Sequence, residues 1–239
     1  MTAMLASVRN LAEANLVVEA GCDWLDLKDP QAGALGAVTL TIAREIVQCH
    51  AGTLPISATI GDCWATPEVI PGRVAALAQL GIEYVKVGVF ARDLARDLAA
   101  QLHQAVSRVP HLLAVCFAED PPSAAQVAQL AAFGLRGVML DTAEKSRGSL
   151  ASLLAPVKIR EFVAAARAHG LLVGLAGSLR RQDIPLMLTY GADYLGFRGA
   201  LCAGHARESS LDLQAVREVR ELLINPQAKK ELHHGLART

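Results

Sequence analysis

Short apolar runs alternate with amphipathic runs along the chain, and this alternation predicts strands and helices in turn. Runs typical of buried strands span residues 4–8, 24–27, 56–60, 84–87, 112–117, 137–140, 171–176 and 194–197. Helical periodicity fills the gaps, near residues 10–20, 39–50, 67–80, 92–108, 123–132, 157–169, 181–190 and 212–223. Each of the eight predicted strands is therefore followed by a predicted helix.

Eight strand–helix units predict an α/β fold, a single (β/α)8 TIM barrel. The chain has 239 residues, close to the roughly 250 of a typical barrel, so we expect the barrel to fill residues 1–224. Residues 225–239 lack periodicity and are expected to form a solvated C-terminal tail. An open doubly wound sheet is the alternative, but residues 8–14 lack the glycine-rich motif of a dinucleotide-binding sheet.

Glycine stands at the predicted end of several helices, just before the next strand. Gly21, Gly81 and Gly191 occupy this position, and Gly170 precedes the seventh strand. Because glycine adopts the left-handed conformation without strain, we expect these residues to stop the helices.

Composition and charge narrow the classes of function. Apolar residues make up 52% of the chain and charged residues 19%, which suits a large buried core. The 23 basic and 23 acidic side chains give a formal net charge of zero, and neither sign forms a long run. We therefore expect neither a nucleic-acid partner nor a membrane partner.

The cysteines and the chain start bear on location. Five cysteines are scattered without a CxxC, which favours reduced thiols, and the first residues lack the features of a secretory signal. No run of about 18 apolar residues predicts a membrane span. We expect a cytoplasmic protein that binds a small-molecule substrate, and apolar outer helices are compatible with a homo-oligomer.

Charged residues stand near the ends of the even-numbered strands. In α/β barrels, function collects at the carboxyl end of the strands, here called the mouth. Asp26 and Lys28 share one face of the second strand, and Lys86, Asp141 and Arg198 follow on the fourth, sixth and eighth. Since one layer of a barrel takes its side chains from alternate strands, we expect these groups to converge, with Asp26 one layer below Lys28.

Two lysines beside two carboxylates point to carbonyl chemistry. An amine attacks a carbonyl only when it is unprotonated, and burial or a second ammonium lowers the pKa of a lysine. Lys28 and Lys86 would then supply a nucleophile and a proton shuttle that Asp26 and Asp141 position. The alternative is that Asp26–Lys28 and Lys86–Asp141 are buried ion pairs that only close the barrel.

Glycine-rich strand ends predict a phosphate site. Gly177 and Ser178 follow the seventh strand, and Arg198 and Gly199 follow the eighth. Loops at these two positions often bind phosphate through backbone N–H groups at a helix N-terminus, and Arg198 would add charge. The small-residue loop 31–37 is typical of a cover over a ligand, although a plain connection would look the same.

Other polar residues give weaker signals. Asp62 and Cys63 follow the third strand, but a cysteine without an adjacent histidine is a poor candidate nucleophile. His205 lies after the eighth strand without an assigned role, and His233-His234 lies in the predicted tail. No HExxH, HxH or carboxylate cluster indicates a metal, and no cofactor is expected.

Several blocks in order along the chain together resemble one family. They are residues 26–30 (DLKDP), 33–37 (GALGA), 57–62 (SATIGD), 84–88 (YVKVG), 139–145 (MLDTAEK), 175–178 (LAGS) and 196–202 (GFRGALC). These blocks resemble the (5-formylfuran-3-yl)methyl phosphate synthase family, whose members form the furan of methanofuran. The resemblance covers nearly the whole chain up to about Arg207.

The resemblance implies a reaction and a set of roles. Two molecules of glyceraldehyde 3-phosphate would condense to a furan aldehyde phosphate, with loss of one phosphate and two waters, which makes the enzyme a carbon–oxygen lyase. Lys28 would form the Schiff base and Lys86 would accept a proton, while Asp26, Asp141 and Lys145 match the family's other important polar positions. Ala34 stands where the family's loop has serine, and the basic tail is outside the family pattern.

Two other classes of function stay open at this point. A simple Schiff-base aldolase or a triose-phosphate isomerase would use the same lysine without forming a furan. A barrel that only binds a phosphorylated metabolite would need neither lysine, so Lys28 and Lys86 count against it.

Overall fold

In a computed structural model that describes residues 1–94 and 96–225, eight parallel strands close into a barrel in the order of the chain. The strands are β1 Ala3–Val8, β2 Trp24–Leu27, β3 Ile56–Thr59, β4 Tyr84–Val89, β5 His111–Phe117, β6 Gly137–Asp141, β7 Leu172–Leu175 and β8 Tyr194–Phe197. The predicted fold class, a single TIM barrel, is confirmed. Each predicted strand matches an observed one within two residues at either end.

Helices follow the strands as the apolar periodicity predicts. They are α1 Leu11–Glu19, α2 Leu40–His50, α3 Ile70–Ala78, α4 Arg96–Val106, α5 Ala124–Ala132, α6 Leu150–Leu153, α7 Pro156–Ala168, α8 Ile184–Leu188 and α9 Leu213–Ile224. The four-residue α6 is an addition to the prediction, since one turn is too short to show a period. Helix α8 is shorter than predicted because Arg181–Asp183 forms a separate 3-10 turn.

The predicted glycine stops are present. Gly21 and Gly81 have φ angles of 80° and 89°, in the left-handed region that other residues adopt at a cost. In each case the chain leaves the helix and enters the next strand three residues later.

Alternating side chains in the strands separate two apolar regions. Leu25 and Leu27 point outward and belong to the large core between barrel and helices. The intervening positions of the same strand, Trp24 and Asp26, point into the barrel, where Trp24 packs against a smaller inner cluster. The predicted two-residue period of β2 is therefore confirmed, and it directs the charged groups inward.

Three aromatic rings close the amino end of the barrel. Trp24, Tyr84 and Tyr194 are the first residues of β2, β4 and β8, and we call them the aromatic floor. Trp24 stacks on Tyr194 with ring centroids 5.3 Å apart and lies 4.5 Å from Tyr84. Gly174 of β7 makes room for the floor, since a Cβ there would lie 2.3 Å from the Tyr194 ring.

The last described element of the barrel ends close to the boundary predicted for the C-terminal tail. Helix α9 ends at Ile224, while residues 226–239, including His233-His234, lie outside the described residues. Within the described part of the chain, every helix is too short or too polar to cross a membrane.

Candidate active site

A cavity of about 230 Å³ opens at the mouth of the barrel. All nine residues that the sequence proposes for catalysis or phosphate binding line it, namely Asp26, Lys28, Lys86, Asp141, Lys145, Gly177, Ser178, Arg198 and Gly199. The even-numbered strands bring the charged groups together, in accordance with the layered geometry of such barrels.

Asp26 is the deepest carboxylate of the site and accepts three hydrogen bonds. Ser7 of β1 donates from Oγ at 2.9 Å, Ser57 of β3 from Oγ at 2.8 Å, and Lys86 of β4 from Nζ at 2.9 Å. Burial alone would raise the pKa of Asp26, but the charges of Lys86 and Lys28 outweigh it and lower the pKa. Asp26 is therefore an ionised acceptor that fixes Lys86.

Lys86 is almost fully enclosed, with 1% of its surface exposed. Burial lowers the pKa of Lys86, and the ion pair with Asp26 opposes that shift without cancelling it. The charge of Lys28 lowers the pKa of Lys86 further. Its ammonium also lies 5.9 Å from the ring centroid of Tyr194, so the aromatic floor forms the surface beneath it.

Asp141 at the end of β6 holds the upper part of the site. Its carboxylate accepts from Lys28 Nζ at 3.3 Å, from the Thr142 backbone N–H at 2.7 Å, and from Lys145 Nζ. Burial would raise the pKa of Asp141, but Lys145 and Lys28 together hold it well below its usual range.

Lys145 stands in the loop that follows β6 and turns back over Asp141. Its Nζ also donates to the backbone carbonyl and, at 3.2 Å, to the hydroxyl of Thr142. Burial lowers the pKa of Lys145 to about 8, against the opposing effect of Asp141. Glu119 fixes this loop, because its carboxylate accepts from the backbone N–H groups of Ala143 and Glu144 at 3.0 Å.

The lysines and aspartates of the site have different partners from those considered in the sequence analysis. Lys86 pairs with Asp26 and Lys28 with Asp141, instead of Asp26 with Lys28 and Lys86 with Asp141. Partners therefore come from different strands, because residues two apart on one strand point to successive layers. With all groups ionised, three lysines against two carboxylates leave one excess positive charge, which favours an anionic ligand.

Lys28 lies at the base of the loop after β2 and is closer to the solvent than Lys86, its neighbour in the site. Its side chain is 11% exposed, whereas that of Lys86 is 2% exposed. Both contact the same cavity, but only Lys28 stands at the end of a strand. A ligand that enters from the mouth therefore reaches Lys28 before Lys86.

The loops after β7 and β8 form the opposite wall of the cavity. Gly177 has φ of 104°, and a Cβ there would lie 2.8 Å from Thr142 Cγ2, so only glycine fits. Ser178 has φ of 50°, an uncommon conformation for a residue with a side chain. Gly199 opens the 3-10 turn Gly199–Leu201, so the helix N-terminus expected after β8 is a single tight turn.

Arg198 lines the cavity, but its guanidinium is already paired. It forms a two-point ion pair with Glu13 of α1, with Nη2 to Oε1 at 3.1 Å, and it also donates to the carbonyls of Arg207 and Ser209. That Arg198 supplies charge to a phosphate stays a prediction, and in the structure its guanidinium is paired with a carboxylate. The buried carboxylate of Glu13 neutralises the guanidinium and directs it to the protein.

The loop 31–37 covers part of the mouth. Leu35 is 1% exposed and packs over Gly88 of β4, where a Cβ would lie 2.7 Å from Leu35 Cδ1. Asp62 accepts from the Leu35 backbone N–H at 3.1 Å, and Thr59 Oγ1 donates to the Gly36 carbonyl at 2.9 Å. Ala34 packs against the inner apolar cluster, which suits a methyl group in place of a hydroxyl.

The polar residues that gave weaker signals in the sequence make the following contacts in the structure. Asp62 fixes the covering loop, and Cys63 is buried beside the Arg73 guanidinium. Burial raises the pKa of the Cys63 thiol, which makes it a poor nucleophile. His205 lines the cavity and lies 3.4 Å from Arg181.

Three contributors to the site escaped the sequence reasoning. Ser7 and Ser57 lie on odd-numbered strands, although the two-residue period already pointed both of them inward. Arg207 lines the cavity from a loop without periodicity, and no pattern in the sequence marks it.

Solved structures share the fold of the chain. Phosphoribosyl anthranilate isomerase from Thermus thermophilus has a TM-score of 0.68 at 13% identity, over 95% of this chain and 100% of that one. 3-Hexulose-6-phosphate synthase from Salmonella typhimurium also has a TM-score of 0.68 at 13% identity, over 93% of this chain and 99% of that one. At this identity the likeness concerns the fold alone.

Sequence relatives are much closer. A candidate (5-formylfuran-3-yl)methyl phosphate synthase of Methylorubrum extorquens is 41% identical over 220 residues, 92% of this chain and 91% of that protein. The (5-formylfuran-3-yl)methyl phosphate synthase of Methanopyrus kandleri is 34% identical over 235 residues, 92% of this chain and 98% of that protein. The family model for 4-HFC-P synthase matches residues 4–220. The chain belongs to the 4-HFC-P synthase family.

Proposed function

We propose that the chain condenses two molecules of glyceraldehyde 3-phosphate to (5-formylfuran-3-yl)methyl phosphate, as a carbon–oxygen lyase of methanofuran biosynthesis. The names of its relatives support the product, and family membership supports an enzyme. The observation that carries the mechanism is one cavity in which three lysines and two carboxylates form interleaved ion pairs above a closed floor.

Lys28 forms the Schiff base in this proposal. It stands nearest to the mouth among the paired lysines of β2 and β4, so an incoming aldehyde meets it first. Attack of the neutral amine on the aldehyde carbon gives a carbinolamine, and loss of water gives the iminium. Asp141, at 3.3 Å from Nζ, orients the amine and then balances the iminium charge.

Lys86 accepts the proton that the iminium makes acidic. The C–H next to the iminium carbon is acidic because its electron pair forms a C=C bond while the C=N pair moves onto nitrogen, which gives an enamine. The lowered pKa of Lys86 favours a neutral amine that can take this proton. Asp26 holds the amine in place through the 2.9 Å hydrogen bond.

The enamine then leads to the furan by elimination and addition. Its electron pair either expels the phosphate on the next carbon or attacks the second aldehyde. Ring closure by a hydroxyl and loss of water complete the aromatic ring, and hydrolysis of the imine frees Lys28. In total one phosphate and two waters leave. Lys145, with pKa about 8, carries both protonation states near neutral pH and suits proton transfer to departing water.

The substrate phosphate binds opposite the lysines. Gly177, Ser178 and Gly199 border the cavity on the β7 and β8 side, where tight turns allow a phosphate to approach the backbone closely. Before a lysine gives up its proton, the three lysines and two carboxylates carry one excess positive charge, which favours binding of the same anion.

The decisive experiment is incubation of the protein with glyceraldehyde 3-phosphate, with the furan aldehyde followed by absorbance and inorganic phosphate measured in parallel. We expect both products from the unaltered chain. Borohydride should reduce the imine to a stable adduct, and mass analysis should locate that adduct on Lys28.

Variants separate the two lysines. Lys28→Ala should abolish trapping and product, whereas Lys86→Ala should still trap some imine but form little product. Lys158→Ala is the matched control, because Lys158 is exposed and pairs with Glu161 on the outer helix α7. An adduct on another lysine would overturn the roles. Imine without furan would instead indicate a simple aldolase or isomerase.

A further inference from the structure

Arg207 lies in the loop after β8 and reaches across to the loop after β2. Its Nη2 donates to the carbonyl of Pro30 at 3.0 Å and to that of Gly33 at 3.1 Å. Pro30 is two residues beyond Lys28, so Arg207 holds the chain that leaves the reactive lysine. The same side chain lines the cavity.

The rest of the guanidinium is available to a ligand. Within residues 1–94 and 96–225, the Nε and Nη1 groups of Arg207 have no hydrogen-bond or ion-pair partner. Arg198 is the opposite case, since Glu13 occupies it. Arg198 also donates from Nε to the Arg207 carbonyl at 2.9 Å, so the neutralised arginine fixes the backbone of the available one.

Arg207 borders the turn that the phosphate proposal already uses. A Cβ built on Gly199 would lie 3.9 Å from the Cβ of Arg207, so the two residues adjoin each other. The positive charge of Arg207 reaches the reactive groups, because it contributes to the lowered pKa of Lys145. An anion seated on Gly199 is thus within the field of an arginine that no carboxylate among the described residues neutralises.

We propose that Arg207 binds the phosphate monoester of the substrate and links its recognition to the loop that follows Lys28. A guanidinium suits this ligand because its planar N–H groups match phosphate oxygens at fixed positions. While Nη2 holds Pro30 and Gly33, the remaining donors hold the phosphate. A bound phosphate therefore fixes the orientation of the same guanidinium that anchors the Lys28 loop.

This inference rests on the proposed function for the choice of a phosphorylated aldehyde, but anion binding tests it separately. The probe is inorganic phosphate, and its dissociation constant is measured by isothermal titration calorimetry. Arg207→Gln should weaken phosphate binding by about tenfold to a hundredfold, the range for loss of a charge-assisted hydrogen bond. Arg207→Lys keeps the charge but lacks the planar guanidinium, so its dissociation constant for phosphate should lie between those of the unaltered chain and Arg207→Gln.

Arg217→Gln is the matched control, since Arg217 is 56% exposed on α9 and pairs with Glu19 away from the cavity. It should bind phosphate as the unaltered chain does. Circular dichroism and the melting temperature establish that each variant is folded. If folded Arg207→Gln binds inorganic phosphate as tightly as the control, the proposal is wrong, whatever the enzyme makes.

Imine trapping distinguishes phosphate binding from a merely structural role. With glyceraldehyde 3-phosphate, Arg207→Gln should require about tenfold more substrate for half-maximal trapping on Lys28. With unphosphorylated glyceraldehyde, the requirement should change less than threefold. Equal losses with both aldehydes would mean that Arg207 only supports the loop, which overturns the proposal. If the unaltered chain traps neither aldehyde, the proposed function fails, and the calorimetric result still decides the role of Arg207.

Discussion

Each carboxylate of the site accepts hydrogen bonds from more than one ammonium or hydroxyl group, so its removal affects several groups at once. Asp26 accepts from Ser7, Ser57 and Lys86, and Asp141 accepts from Lys28 and Lys145. A buried charge without its counter-ion destabilises the fold, because the protein interior solvates an ion poorly. Substitution of either carboxylate should therefore change both the stability of the fold and the pKa of the lysines it pairs with.

Asp26→Asn should lower the free energy of unfolding by about 3 kcal/mol near neutral pH, because Lys86 loses its buried counter-charge. The variant lowers the folded-state pKa of Lys86 further below its unfolded value of about 10.4. Between these two pKa values the unfolded chain binds more protons, so stability rises with pH. Urea unfolding should show the deficit shrinking from about pH 7 to about pH 10. A deficit that is constant over this range would contradict the lowered pKa of Lys86.

Lys145 should titrate near pH 8, where a typical exposed lysine is still almost fully protonated. Competitive acylation followed by mass analysis measures this, since only the neutral amine reacts. The labelling midpoint of Lys145 should lie at about 8, and exposed Lys158 provides the comparison. Because Asp141 raises the pKa of Lys145, Asp141→Asn should move the midpoint lower. An unchanged or higher midpoint in that variant would contradict this account.

The sequence predicts the residue types of the site better than their partners. Lys28, Lys86, Asp26 and Asp141 follow from the two-residue period and the strand ends. Their pairing depends on the stagger between neighbouring strands, which aligns Asp26 with Ser7 and Ser57. Stagger is a property of barrel closure that one strand cannot reveal.

At the scale of elements, strands β7 and β8 show how an absent side chain shapes a barrel. Gly174 and Tyr194 are register partners, and the ring of Tyr194 occupies the space that a Gly174 side chain would take. The same ring also stacks on Trp24. A side chain at position 174 would therefore overlap the Tyr194 ring.

Gly174→Ala should lower the free energy of unfolding by about 2 kcal/mol, because the added methyl group overlaps a ring that cannot move away. In a Tyr194→Leu background the same change should cost much less. Urea unfolding of the single and double variants gives the coupling between the two sites. Gly72→Ala in α3 is the control, since a Cβ there meets nothing within 4 Å. Equal costs in both backgrounds would rule out the contact as the cause.

The predictability of an element depends on its length and its pattern. Eight strands and the longer helices follow from periodicity, whereas α6 has only four residues and no measurable period. The loop after β8 is fixed by an antiparallel backbone bridge between Cys202 and Leu211 and by the hydrogen bond from Arg198 to the Arg207 carbonyl. Contacts of this kind leave no periodic pattern in the sequence. The contribution of this loop to the cavity could therefore not be read from the local sequence.

At the scale of the whole molecule, one ion pair joins the first strand–helix unit to the last. Glu13 belongs to α1 and Arg198 follows β8, and 185 residues separate them. Their side chains are 7% and 10% exposed. The pair therefore reinforces the closure of the barrel where β1 meets β8.

Glu13→Gln should lower the free energy of unfolding by about 3 kcal/mol, because it leaves the Arg198 guanidinium buried without its carboxylate. On the expectation that Arg198 supports the scaffold, the KM for glyceraldehyde 3-phosphate should change little. Chemical unfolding and steady-state kinetics measure the two effects. Normal stability with a raised KM would return Arg198 to the phosphate site.

The aromatic floor closes the base of the cavity, so molecules enter and leave only through the mouth. The first molecule to enter therefore binds deepest, and a second molecule blocks its way out. In the proposed reaction, we expect the displaced phosphate to leave before the second triose phosphate binds, because that molecule would block its exit. Rapid-quench sampling of the first turnover should detect a burst of inorganic phosphate ahead of the furan chromophore. If phosphate and the furan appeared at the same time, phosphate release would not precede binding of the second molecule.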